Sequence, residues 1–194
     1  RGEWAAAVAV WSRRAEALSS PRERAETLHH VALLLERRLG RPDEAMERHR
    51  AVLTLDPAHH DAFVALTRLA SAAGRWREVV ELHERALDRA AHDAEAIAWL
   101  FRIGAVLEDR LEDLPAAMGA YARILERDGT HLGALHALQR AAERAGAHAR
   151  LVEALDAEAA LVEDPERRAT LRHRAATVVA DGLGDPSAAS ERLE

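Results

Sequence analysis

The sequence predicts an all-α fold, a right-handed α-solenoid of stacked antiparallel helical hairpins. Three observations predict it: a long internal repeat, apolar residues at helical spacing, and prolines and glycines confined to regular breaks. Glycine recurs at a 72-residue step (Gly2, Gly74, Gly146), as do leucine (Leu39, Leu111, Leu183) and alanine (Ala45, Ala117, Ala189). At the same step Trp4 maps onto Trp76, Met46 onto Met118, Asp56 onto Asp128 and His59 onto His131. Pro21 and Pro165 stand two periods apart, as do Pro42 and Pro186. Within each unit Leu28, Val31, Leu35 and Leu39 form one stripe, and Leu100, Ile103, Leu107 and Leu111 another. That spacing is helical, and nothing shows the alternation of a half-buried strand.

The elements follow in order from their punctuation. A helix near 4–18 is followed by one near 22–39, opened by Ser20-Pro21 with Glu23 as cap, first-turn proline and capping-box acid. Gly40 and Pro42 separate it from a third near 43–55, and Pro57 sets off a fourth near 59–73. Gly74 turns the chain into 76–91, after which 94–111 and 115–127 meet at Pro115. Gly146 separates 131–145 from 148–162. Asp164-Pro165-Glu166 and Asp185-Pro186 open the last two, near 166–182 and 187–194. Loops this short make neighbouring helices antiparallel. Eleven short helices with a translational repeat stack rather than close into one bundle.

Composition narrows the function. The 194 residues carry a net charge of −6, which argues against a polyanion partner needing a clustered basic surface. Cysteine is absent, which excludes disulfides, thiol nucleophiles and cysteine-ligated zinc. Lysine and asparagine are also absent, so all 27 basic residues are arginine. With 44 alanines, this points to a GC-rich, bacterial genome. No apolar run approaches the roughly 18 residues of a membrane span, and no membrane insertion by this segment is expected. The first residue is arginine and the last predicted helix looks cut, so residues 1–194 are read as one array within a longer repeat protein, with a cytoplasmic location expected. Bare apolar faces at the two ends would then favour end-to-end self-association.

Phe63, Leu66, Ala70, Gly74, Val79, His83 and Ala86 follow the alternation of large, small and turn residues of one helical hairpin. Leu28, Val31, Ala32, Leu35, Ala45, His49, Val52 and Pro57 give a second copy, and Leu100, Ile103, Gly104, Leu107, Ala117, Tyr121 and Ile124 a third. These copies resemble the tetratricopeptide repeat. They step through Leu28, Phe63, Leu100, Leu135 and Arg172 by alternating 35 and 37 residues. Thr67 and Gln139 depart from the small residue of the first helix, and Arg172 from a large apolar one.

The resemblance implies a non-catalytic scaffold that binds a partner peptide or helix in a concave groove lined by the first helix of each hairpin. Carried across, the groove would present His29, Leu33 and Arg37, then Asp61, Val64 and Arg68, then Phe101 and Glu108, and then His136, Arg140 and Arg144. Arg68 and Arg140 share one groove position a period apart and suit carboxylate contacts to an acidic partner. Trp4 and Trp76 are expected to wedge successive hairpins. The partner is a protein or peptide of unknown identity, with no nucleic acid. The alternative is a structural spacer or self-assembling rod.

Other chemistry finds no footing. Adjacent His29-His30 and His59-His60 point about 100° apart on a helix and do not converge on one ion. No glycine-rich phosphate loop or nucleophile elbow is present, so neither cofactor, metal nor catalytic residue is predicted.

Overall fold

Five helices begin with proline in the first turn, where its missing N–H costs nothing. Side-chain acceptors complete many of the starts. Ser20 Oγ accepts from the Glu23 N–H, Asp113 from Ala116 and Asp185 from Ala188. His59 Nδ1 and His131 Nδ1, one period apart, each accept a backbone N–H at 3.3 Å, from Ala62 and Ala134. The structure, a computed structural model, describes residues 2–192. Its helices are α1 (Gly2–Ala17), α2 (Pro21–Leu34), α3 (Pro42–Leu55), α4 (His60–Ala72), α5 (Trp76–Leu87), α6 (Asp93–Asp109), α7 (Leu114–Leu125), α8 (Leu132–Ala145), α9 (His148–Leu161), α10 (Pro165–Gly182) and α11 (Pro186–Glu191). Among the described residues there is no strand. The predicted helix end at 193–194 lies outside them.

One turn departs from α geometry. Leu35–Leu39 continues α2 as a π-helical turn, closed by Gly40 at φ +66°. Gly40, Glu112 and Gly184 are successive period equivalents, and all three are left-handed, with Glu112 at φ +53°. A glycine takes that conformation without steric cost, whereas Glu112 holds its Cβ against the following carbonyl.

The chain divides into two compact units, one ending at Leu82 and one beginning at His83, with the boundary inside α5. In the first unit α1 packs on α2, α2 on α3 and α3 on α4. Its core joins Ala15, Ala25, Leu28, Val52 and Ala62, and Val31, Ala32, Leu35, Ala45 and Met46 are also buried. In the second unit the pairs run from α6–α7 to α10–α11. One of its clusters unites Leu151, Val152, Leu155, Ala175, Ala176, Val179 and Ala189.

Two expectations are corrected. Leu107 and Leu111 are only half-buried, because the inward position at that end of α6 belongs to Glu108. Trp4 is no wedge between hairpins: its ring is 39% exposed, with the Arg38 guanidinium 4.9 Å above it.

Candidate interaction clefts

Helices α2 and α4 both pack on α3 and run parallel to each other, so their outward rows lie side by side. Four-residue spacing sets His29, Leu33 and Arg37 in line along α2 and its π turn. Asp61, Val64, Ala65 and Arg68 form the matching row on α4. Together they line one cavity of about 380 Å³. The cleft is graded. His29 and Asp61 occupy one end, half-buried Leu33 and 47%-exposed Val64 the middle, and Arg37 and Arg68 the other end. Among the described residues neither the Arg37 nor the Asp61 side chain takes part in a hydrogen bond or ion pair. Arg68 gives one nitrogen to Glu36 Oε1 at 2.5 Å.

Beneath this cleft lie three histidines in contact. The His29 ring centroid is 5.2 Å from that of His49 and 4.8 Å from that of His59. His49 is fully buried, and neither of its ring nitrogens has a hydrogen-bond partner. Burial, then the neighbouring His29 and His59, push the His49 pKa down to about 4. Burial and His59 lower that of His29 as well, against the opposing pull of Asp61 and Glu26.

The second unit places the remaining predicted residues differently. Phe101 is half-buried, with its ring 6.0 Å from Tyr121 and 5.2 Å from His131. Glu108, expected on a solvated groove face, is 1% exposed. Its carboxylate accepts from Arg140 Nε and Nη2 at 2.8 Å each, from Arg144 Nη1 at 2.8 Å and from Tyr121 Oη at 2.9 Å. The Arg140 bonds dominate, with Tyr121 and Arg144 adding, and overcome burial to hold the Glu108 carboxyl at about 2. Gly104 makes the site possible, because a Cβ there would lie 2.8 Å from Tyr121 Cζ. Both arginines singled out as carboxylate contacts therefore already hold an internal one, Arg68 on Glu36 and Arg140 on Glu108, 32 residues back in each case.

His136 and Arg140 also line a cavity of about 390 Å³ with Gln139, Glu143, Glu158, Arg167, Thr170, Leu171 and Arg174, whereas Phe101, Glu108 and Arg144 do not. Glu158, 3% exposed, accepts from Gln139 at 2.7 Å and from Arg167 at 3.1 Å, and His136 Nε2 lies at 3.1 Å. Burial raises the Glu158 pKa, but these bonds outweigh it and the carboxyl stays below its ordinary value. Glu158 was not singled out from the sequence. Its signal is that it stands one period after Ala86, a small-residue position, facing the equally irregular Gln139.

Among the described residues no group of three His, Asp or Glu side chains is arranged to hold a metal ion. None of the described helices is long and apolar enough to cross a membrane.

The family model for the tetratricopeptide repeat matches residues 62–98. No curated protein matches the chain in sequence at a significant level. Among solved structures it is similar to YrrB, described as a TPR protein with an unusual peptide-binding site, at 18% identity and a TM-score of 0.48, covering 94% of this chain and 88% of that one. It is similar also to residues 41 to the end of MamA from Desulfovibrio magneticus RS-1, at 18% identity and a TM-score of 0.45, covering 87% and 90%. A third is PilF of Pseudomonas aeruginosa, at 14% identity and a TM-score of 0.45, covering 99% and 89%. Residues 62–98 thus match the tetratricopeptide repeat, within a chain whose described residues form a run of tetratricopeptide-like helical hairpins.

Proposed function

We propose that the cleft between α2 and α4 seats a short extended segment of a partner protein. A tetratricopeptide fold points to a protein-interaction scaffold, and such folds are typically non-catalytic. The observation that carries this proposal is the cleft's gradient, with two arginines at one end, Leu33, Val64 and Ala65 in the middle and Asp61 at the other. From His29 to Arg37 the row is ~12 Å long, room for about four extended residues. The matching segment carries an aliphatic side chain against Val64, an acidic group toward Arg37 and a basic group toward Asp61. Arg37 has its full donor set to offer, whereas Arg68 and Arg140 are partly committed to Glu36 and Glu108. Groove positions vary between periods (His29 against Phe101, Val64 against His136), which favours specific recognition over a plain spacer.

Panning a random hexapeptide display library on the full chain tests this, with Arg37→Glu and Val64→Asp as paired controls. Both residues are exposed, so matched melting curves establish that the variants fold. The expected result is an enriched acidic–aliphatic motif whose affinity falls at least tenfold in either variant. No enrichment, or a motif indifferent to both changes, would remove the cleft reading and leave the spacer role in front.

A further inference from the structure

One three-ring contact occurs in both units. In the second unit it joins Phe101, Tyr121 and His131, with Phe101 touching the other two. In the first unit the residues one period earlier, His29, His49 and His59, touch in the same arrangement. The repeat thus holds its register while its chemistry changes. Tyr121 reaches Glu108 Oε2 with its hydroxyl. The equivalent His49 is shorter, and both of its nitrogens, together with Oε2 of the equivalent Glu36, lie buried without hydrogen-bond partners. The His29 Nδ1 and His59 Nε2 atoms are likewise buried without hydrogen-bond partners.

We propose that this histidine trio makes the first unit acid-labile, so that mild acid separates α2, α3 and α4 and dissolves the cleft they carry, while the second unit stays folded. The link to ligand release rests on the cleft reading above; the acid lability itself does not. Charge around the trio is mixed. Glu26 and Asp61 face His29 and favour its protonation, and Glu26 Oε2 also lies 3.8 Å from His59 Nε2. Arg37, however, opposes protonation of His29 and Arg68 that of His49, which has no carboxylate of its own among the groups acting on it. Each proton placed on one ring also raises the cost of placing the next. The sign follows. A buried histidine held at about 4 is neutral when folded, whereas its unfolded counterpart titrates at 6.5. Stability is therefore complete above pH 6.5 and lost as the pH falls from 6.5 toward 4. In the second unit burial and Arg102 lower His83 to about 4, but the ring positions equivalent to His29 and His49 hold Phe101 and Tyr121, which take up no proton in this range.

The test is a residue-resolved amide NMR titration of the full chain from pH 7.5 to about 3, on the parent and on His29→Phe/His49→Tyr, which installs the residues of the second unit. Amides of α2–α4 in the parent should move to unfolded positions with a midpoint between pH 6.5 and 4, ahead of those of α7–α9. The double variant should lower that midpoint by about one pH unit or more. If the variant fails to fold, the order of loss in the parent still decides. Simultaneous loss in both units, earlier loss in α7–α9, or an unmoved midpoint in a folded variant would overturn the proposal. Peptide binding at pH 7.5 separates the two claims. Binding without acid opening leaves the cleft and removes the switch, whereas acid opening without binding does the reverse.

Discussion

Replacing Glu108 by alanine tests the interior of the second unit most severely. The carboxylate is 1% exposed and receives four hydrogen bonds, three from arginine and one from Tyr121. Arg140 and Arg144 are half-exposed and regain water when it leaves, which places the loss at the low end of the ~3–5 kcal/mol for breaking a buried pair. The Tyr121 hydroxyl does not regain water, and leaving it unsatisfied, ~1–3 kcal/mol, accounts for much of that loss. A second route agrees. A carboxyl held at about 2 against an ordinary 4.5 stabilises the fold by about 3 kcal/mol above pH 4.5, and that stability disappears as the pH falls from 4.5 through 2. Glu108→Ala should therefore cost about 3 kcal/mol at pH 7, roughly 12 °C or more in the melting of a unit of this size. The difference between parent and variant should shrink below pH 4.5. Urea or thermal unfolding followed by helicity measures both. A loss under about 1 kcal/mol, or one independent of pH down to 2.5, would refute the reasoning.

Other outcomes follow from single positions. Glu112→Gly should stabilise the chain by about 1 kcal/mol, because Gly40 and Gly184 occupy the equivalent left-handed positions without strain; unchanged or lower stability in chemical denaturation would contradict this. Gly104→Ala should destabilise by ~1–3 kcal/mol, since the new methyl meets the Tyr121 ring and that ring is buried too tightly to retreat. A variant that melts like the parent would count against the packing. The histidine trio predicts that acid opens the first unit before the second, read from the amide titration described above.

How much of this was legible in the sequence differs by level. Proline, capping residues and glycines located the helices to within a few residues, because those residues act through the local backbone. The six first-unit positions that the tetratricopeptide resemblance implied line one cavity. The second unit was harder to read. Polar residues there turn inward where partners from distant helices meet them, and no local pattern announces that Glu108 lies under Tyr121, Arg140 and Arg144. A carboxylate on a helix reads as surface until the arginine 32 residues later is placed beside it. The left-handed Glu112 was hidden for a related reason, since its residue type gives no hint and only its alignment with Gly40 and Gly184 does. The Gln139–Glu158 pair shows a usable signal: two breaks in a repeat pattern that face each other in the fold.

A partner segment seated in the α2–α4 cleft is tested most directly by titrating the highest-affinity library peptide into the labelled full chain at pH 7.5 and mapping the amide shifts. The largest changes should fall at Leu33, Arg37, Val64 and Arg68, with saturation abolished by Arg37→Glu. Shifts centred on α6–α11, or saturable binding that Arg37→Glu leaves intact, would contradict it.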